Sequence, residues 1–373
     1  MRRLTWPILL GVGAAVAVAA TLGTWKLAPA FLGSSAPDMP AFPLLHGLCH
    51  WDCWWYVNIA GGGYWFRPGE QSPVAYFPAY PLLIRAVTLV GLDRFSAAVL
   101  VSLGSGVGAL LLYGRWAEKV RPGGAGVTAA WLLALYPYAV YLYGVVYSDA
   151  LFLLLVIGAF LALESDRPVL AAVLGMAATA ARPVAPAVVL GLLVRSLERR
   201  RRAKLPIRAV DFVPALAGLG LVGWMAYLQV KFGDPLAFVH VQSAPGWGQP
   251  PGPATWLKLD FFHTLFEAWR PFVFWRHVPQ MLIALSLLGL VVPTWRRLGA
   301  GYGVYLLVVV AIPTVSSKDF MGLGRYGLAA FPAWLTVATW LDQRPRLRSA
   351  WLAVSGVLLL VVAFAFGGEV YLS

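Results

Sequence analysis

The stretch 95–114, FSAAVLVSLGSGVGALLLYG, runs for twenty residues without a charge. Coiled as a helix at 1.5 Å per residue it reaches about 30 Å, the thickness of a bilayer's hydrocarbon core. Asp93-Arg94 precede it and Arg115 follows it, as expected of a segment whose ends meet water. Similar apolar stretches recur at 4–26, 124–147, 150–164, 209–230, 279–295, 299–315, 326–341 and 349–366. The fold expected is therefore an all-α polytopic membrane bundle of about nine full spans.

Composition points the same way. Of 373 residues, 60% are hydrophobic and only 12% are charged, against about a quarter charged in ordinary soluble domains. A soluble globular enzyme, a disordered chain and a disulfide-framed secreted domain are all excluded. Lys+Arg number 29 and Asp+Glu 16, a net +13. In a chain this apolar, that excess reads as cytoplasmic anchoring against anionic lipid, with no nucleic-acid partner.

The positive-inside bias orients the spans. Arg2 and Arg3, Arg115/Lys119/Arg121, the cluster from Arg195 to Arg208, Arg296/Arg297 and Arg344/Arg346/Arg348 all belong in the cytoplasm. They agree only if two apolar stretches do not cross. Residues 75–92, with Pro78, Pro81 and Arg85, stay outside as an interfacial or re-entrant helix. Residues 168–195 enter and return as a re-entrant hairpin with Arg182-Pro183 at its tip. The cytoplasmic faces then hold 18 Lys+Arg and 6 Asp+Glu, leaving 11 and 10 outside. Segment 4–26 is read as a retained anchor rather than a cleaved signal. The whole chain, 1–373, is one membrane domain. Two outer loops are large, 27–94 and 231–277, and chemistry is expected there.

The first loop carries His50-Trp51-Asp52-Cys53-Trp54-Trp55-Tyr56, followed by Gly61-Gly62-Gly63-Tyr64. One carboxylate stands among aromatic rings suited to stacking on sugars or isoprenoids. An interfacial aromatic belt explains the rings but not the acid. Asp149, in Tyr147-Ser148-Asp149, either caps the helix starting at Ala150 or faces Asp52 as a second acid. Arg182 lies in an apolar stretch, where a charge faces a polar cavity, binding phosphate or pairing with an acid. Arg85 and Arg325 are each either phosphate ligands or interfacial anchors. In the second loop, Gln242 and Trp247 precede the Pro/Gly-rich stretch 245–253, read as an ordered cleft wall. His46 and His50 stand four apart, yet a metal is not favoured, because the other His residues lack such partners; no cofactor is expected. Cys49 and Cys53 are expected as buried thiols.

The motifs then resemble a known family. Trp51-Asp52-Cys53-Trp54-Trp55-Tyr56, Ile59-Ala60 and Gly63-Tyr64, followed by Phe77-Pro78-Ala79-Tyr80-Pro81-Leu82-Leu83-Ile84-Arg85, resemble the PIG-V-like mannosyltransferases. Tyr147-Ser148-Asp149-Ala150-Leu151-Phe152, Arg182-Pro183, Gly324-Arg325-Tyr326 and Phe331-Pro332 look like its later motifs. Where that family usually carries Glu after Tyr-Ser, this chain has Asp149. The resemblance implies a GT-C glycosyltransferase with Asp52 catalytic, a mannosyl donor on a polyprenyl phosphate, and inversion at the anomeric carbon. Arg182, Arg325 and Arg85 are the expected donor-phosphate ligands. Expected substrate contacts are His50, Trp51, Trp55, Tyr56, Tyr64 and Tyr80, with Tyr147, Asp149, Gln242, Trp247 and Tyr326. The acceptor is a glycolipid, a glycan or a protein, and the site faces outward from the plasma membrane. The rival readings are a GT-C enzyme for another lipid-linked sugar, such as arabinose or glucose, and a non-enzymatic lipid-linked-sugar flippase. A flippase needs polar groups at mid-membrane on several spans, whereas here they gather on the outer side.

Overall fold

The structure, a computed structural model, describes residues 4–27, 43–123, 125–266 and 271–372. Arg2, Arg3 and the 28–42 part of the first outer loop, including Asp38, lie outside the described residues.

Every regular element among the described residues is helical. Helix α1 (Trp6–Leu27) leads through a 3-10 turn at Pro43–Leu48 to α2 (Cys53–Gly62) and α3 (Ala79–Thr88). Then come α4 (Arg94–Val120), α5 (Ala125–Ala134), α6 (Asp149–Glu164), α7 (Pro168–Thr179) and α8 (Ala185–Arg202). Helix α9 (Leu219–Phe232) continues a 3-10 segment, Ala209–Gly218, that contains Pro214. The chain closes with α10 (Pro271–Gly289), α11 (Val291–Leu298), α12 (Ala300–Ser316), α13 (Leu323–Ala329), α14 (Phe331–Leu341) and α15 (Pro345–Gly367). Among the described residues, five segments are long and apolar enough to cross a membrane: Trp6–Leu27, Arg94–Val120, Ala209–Phe232, Phe274–Leu298 and Pro345–Gly367.

Local chemistry sets these boundaries. Asp93 caps α4, accepting from the Phe95 and Ser96 N–H groups at 3.0 and 2.9 Å. Proline corrects two of the sequence expectations. Stretch 124–147 is not one helix: α5 ends at Ala134 and a 3-10 turn, Pro137–Leu142, follows, because Pro137 has no N–H to carry the helix on. Stretch 326–341 likewise breaks at Ala330, ahead of Pro332 at the start of α14.

The hairpin is present as α7 and α8, with Arg182 in the turn between them. Both outer ends return to one face, where Arg195 Nε meets Glu164 at 2.6 Å and Arg199 Nη2 meets Asp166 at 2.7 Å. Glu198 and Asp211 join this network through Arg202 at 2.7 Å and Arg200 at 2.9 Å. The acids assigned to the cytoplasmic side are thus largely neutralised by the arginines assigned there. Helix α3 buries Tyr80, Pro81 and Ile84, while Leu82 and Leu83 on it and Leu89 and Val90 just after it stay exposed. The first and last long helices pack backbone to backbone at Gly23 and Gly367, where any Cβ would strike the opposing helix's carbonyl. Thr24 Oγ1 donates to the Gly367 carbonyl across that seam at 2.8 Å.

Candidate active site

A cleft of about 740 Å³ opens where α2, the Ala75–Phe77 segment, the start of α6, the hairpin turn and α13 converge. Asp52 stands at the N-terminus of α2 but makes no side-chain cap bond. Its carboxylate is turned to the cleft instead. The Tyr76 hydroxyl donates to Asp52 Oδ1 at 3.0 Å, and Arg325 Nη1 approaches Oδ2 at 3.4 Å. The Asp52 backbone N–H donates to the Tyr147 hydroxyl at 3.2 Å. Burial holds the Tyr76 phenol well above its ordinary range, so it stays a proton donor to Asp52.

The chain around Asp52 is tightly bent. Trp51 adopts a left-handed conformation, φ 58°, unusual for a bulky residue. Cys49 and Cys53 on either side are joined as a disulfide, with their Cα atoms 5.3 Å apart. The expectation of buried thiols is thereby corrected. Both residues are buried, but the turn at Trp51 brings their Cα atoms within bonding range. Trp51 packs edge-on against Tyr371 at 5.1 Å.

Asp149 is the second acid. It is the first residue of α6, not its cap, and its carboxylate is taken by Arg182 in the hairpin turn. Arg325 Nε lies 3.8 Å from the other Asp149 oxygen. Arg325 therefore stands between the two acids, with its guanidinium over the Tyr147 ring at 5.0 Å. Arg182 lies over Tyr326 at 4.5 Å. The Asp52 side chain is 22% exposed and that of Asp149 only 3%. Of the two, Asp52 is the more open to an incoming molecule.

Trp51, Asp52, Trp55, Tyr56, Asp149, Arg182, Gln242, Trp247, Arg325 and Tyr326 all line this one cleft. Trp55 stacks on Tyr76 at 5.7 Å and tilts against Trp247 at 5.9 Å, so the second outer loop does form a cleft wall. The remaining candidates stand elsewhere. Arg85 is exposed on α3 and does not line the cleft; it follows Ile84 of the helix's buried face and projects outward. Tyr80 is fully buried and bonds Ser102 and the Ala98 carbonyl. Tyr64 supports the Tyr76 carbonyl at 3.0 Å from behind. Tyr147 positions the Asp52 backbone without reaching the cleft surface.

His50 is buried, and burial pulls it down to about 4. It is neutral at pH 7, and the 3.9 Å approach of Glu369 is no ion pair. No group of three or more His, Cys, Asp or Glu among the described residues is placed to hold a metal. The cleft also recruits Tyr76, Gln71, Gln249, Arg276, Lys318, Asp319 and Tyr371. Of these, Tyr76, in Ala75-Tyr76-Phe77-Pro78, and Gln249, in the 245–253 stretch read as a cleft wall, had a sequence signal.

No protein-family model and no curated relative matches the chain. Solved structures do. The Archaeoglobus fulgidus oligosaccharyltransferase in its apo form superposes with a TM-score of 0.54 at 13% identity, over 99% of this chain and 56% of that one. The same protein tethered by a disulfide to an acceptor peptide containing the NVT sequon gives 0.51 at 12% identity, over 97% and 55%. The fold is of the GT-C type. This chain spans little more than half the length of those GT-C neighbours, and at such identity the backbone architecture is what the two share.

Proposed function

We propose that the chain is a membrane glycosyltransferase that moves a sugar from a polyprenyl-phosphate donor to an acceptor hydroxyl, with Asp52 as general base. One observation carries this reading. A solvent-reachable carboxylate, held by a phenol and a guanidinium, faces a large aromatic cleft in a GT-C-type bundle. A base so placed accepts the proton of the attacking hydroxyl. The neighbouring Arg325 stabilises negative charge that develops as the donor bond breaks. Arg182 holds Asp149 and thereby fixes Arg325; it is a positioning residue.

Mannose as the sugar and inversion as the stereochemical outcome rest on the PIG-V-like resemblance of the Asp52 motif. A glycolipid, glycan or protein serves as acceptor. The bundle crosses the plasma membrane about nine times, with the cleft outside. Incubating the purified protein with labelled polyprenyl-phosphate mannose and a membrane extract is the direct test. A labelled product that disappears with Asp52→Asn is the expected result. Product formed only from an arabinosyl or glucosyl donor would keep the transferase and overturn the mannose assignment.

A further inference from the structure

Beside Asp52 the cleft wall is made of rings and amides. Trp55 stacks on Tyr76 with 18° between the ring planes, and Trp247 stands at 56° and 67° to those two. The three rings form a corner. Tyr76, one side of it, donates to Asp52 Oδ1, while Arg325 approaches Oδ2. The rings thus reach the carboxylate through one oxygen and the guanidinium reaches it through the other.

Three carboxamides, Gln71, Gln242 and Gln249, line the same cleft, all half-buried. They gather around Trp247. The Gln249 backbone N–H donates to the Gln242 carbonyl at 2.8 Å and closes the loop that carries this Trp. Gln71 lies against Gly246, the residue before it, where any Cβ would strike the Gln71 amide. Gly246 is also in a left-handed conformation, φ 95°, so glycine suits the position twice over. Bonds within the protein use only part of these amides. Gln242 Nε2 donates to the Phe238 carbonyl at 3.3 Å, which leaves its oxygen. Gln249 Oε1 accepts from the Lys318 N–H at 2.6 Å, which leaves its NH₂. The Gln71 side chain makes no hydrogen bond among the described residues. Residues 242–249 carry no charge, and Lys318 brings an ammonium beside Gly248.

A pyranose has a rim of hydroxyls, each both donor and acceptor, and faces of C–H bonds. Carboxamides offer a donor and an acceptor together, and aromatic rings cover apolar faces. Three amides around one Trp match a hydroxyl-rimmed ring better than the single hydroxyl of a Ser or Thr side chain. We propose that this corner is the acceptor subsite and takes a neutral sugar ring, stacked on Trp247 with Gln71, Gln242 and Gln249 on its hydroxyls. Its assignment to the acceptor rests on the transferase reading, because the general base must meet the acceptor hydroxyl. Its binding of a sugar does not.

The test uses the purified full-length protein in lipid nanodiscs, free of glycoside detergent. Saturation-transfer NMR titrations read the binding of methyl α-mannoside, methyl β-glucoside and methyl β-galactoside, beside glucuronate and a blocked threonine tripeptide. The variants are Gln71→Leu, Gln249→Glu, which keeps the acceptor for the Lys318 N–H, and the exposed control Gln343→Leu. Expected is binding of a neutral glycoside that weakens roughly three- to tenfold in each cleft variant, the loss of one neutral hydrogen bond, with Gln343→Leu like wild type. In the transfer assay that glycoside should compete with the acceptor of the membrane extract and not with polyprenyl-phosphate mannose. Competition with the donor instead overturns the acceptor assignment. Glycoside binding lost in the variants, with no transfer to any acceptor, keeps the sugar subsite and overturns the transferase reading. No binding of a neutral glycoside, undiminished binding in both variants, or tighter binding of glucuronate or the tripeptide overturns the neutral-sugar subsite.

Discussion

At Asp52 three neighbours act on one carboxyl group: a phenol on Oδ1, a guanidinium on Oδ2, and a second phenol under its backbone N–H. Asn keeps the shape and loses the proton acceptor, so Asp52→Asn is expected to lower turnover by about 10²–10⁴-fold at nearly unchanged melting temperature. Glu70→Gln and Asp93→Asn are the controls, the latter keeping its cap oxygen. If Asp149→Asn abolishes turnover while Asp52→Asn retains it, the wrong acid has been named. His50 gives a pH signature. Its pKa falls from 6.5 to about 4 on folding, so the unfolded chain binds more protons between those values. The stability it contributes is complete above pH 6.5 and is lost as pH falls toward 4. Melting curves should show that loss, and His50→Gln should flatten it. Asp52 was legible in the sequence because an acid among tryptophans is chemically conspicuous. Tyr371 and Lys318 were not, because nothing in their own segments shows that they reach the same cleft.

The α7–α8 hairpin shows what an element contributes. Its length and its Arg-Pro interruption were readable, because twenty-eight apolar residues with a charge at the middle cannot span once. The partner of that charge was not readable. Asp149 lies 33 positions earlier, and periodicity says nothing about which acid a turn will meet. Both groups are buried, so Arg182→Ala leaves the Asp149 carboxylate with Arg325 alone at 3.8 Å and should cost stability, up to about 3–5 kcal/mol. Arg182→Met with Asp149→Leu removes both charges and should recover most of that loss in a thermal melt. Activity should stay low in the double variant, since Arg325 leans on Asp149 as well. Recovery of full activity would show that the pair only holds the fold. The proline breaks after α5 and between α13 and α14 were the part of the element pattern that hydropathy alone smoothed over.

For the whole molecule, charge asymmetry was the most informative sequence property, and Glu164, Arg195 and Glu198, all assigned to one face by it, pair with one another. Both cysteines are joined to each other, so an introduced cysteine would be labelled against a silent background. Ala203→Cys and Ser243→Cys are both at exposed positions. A membrane-impermeant maleimide should label Ser243→Cys on intact cells and Ala203→Cys only after permeabilisation; labelling of Ala203→Cys from outside would invert the topology. The Cys49–Cys53 bridge adds a constraint of timing. Reducing cytosol does not maintain such a bond, so with the cleft outside, as proposed above, the turn bearing Trp51 and Asp52 would be fastened only after that segment has been exported. Newly made chains would be inserted first and become competent later, and a cell that fails to oxidise exported thiols would accumulate a membrane-embedded but idle protein.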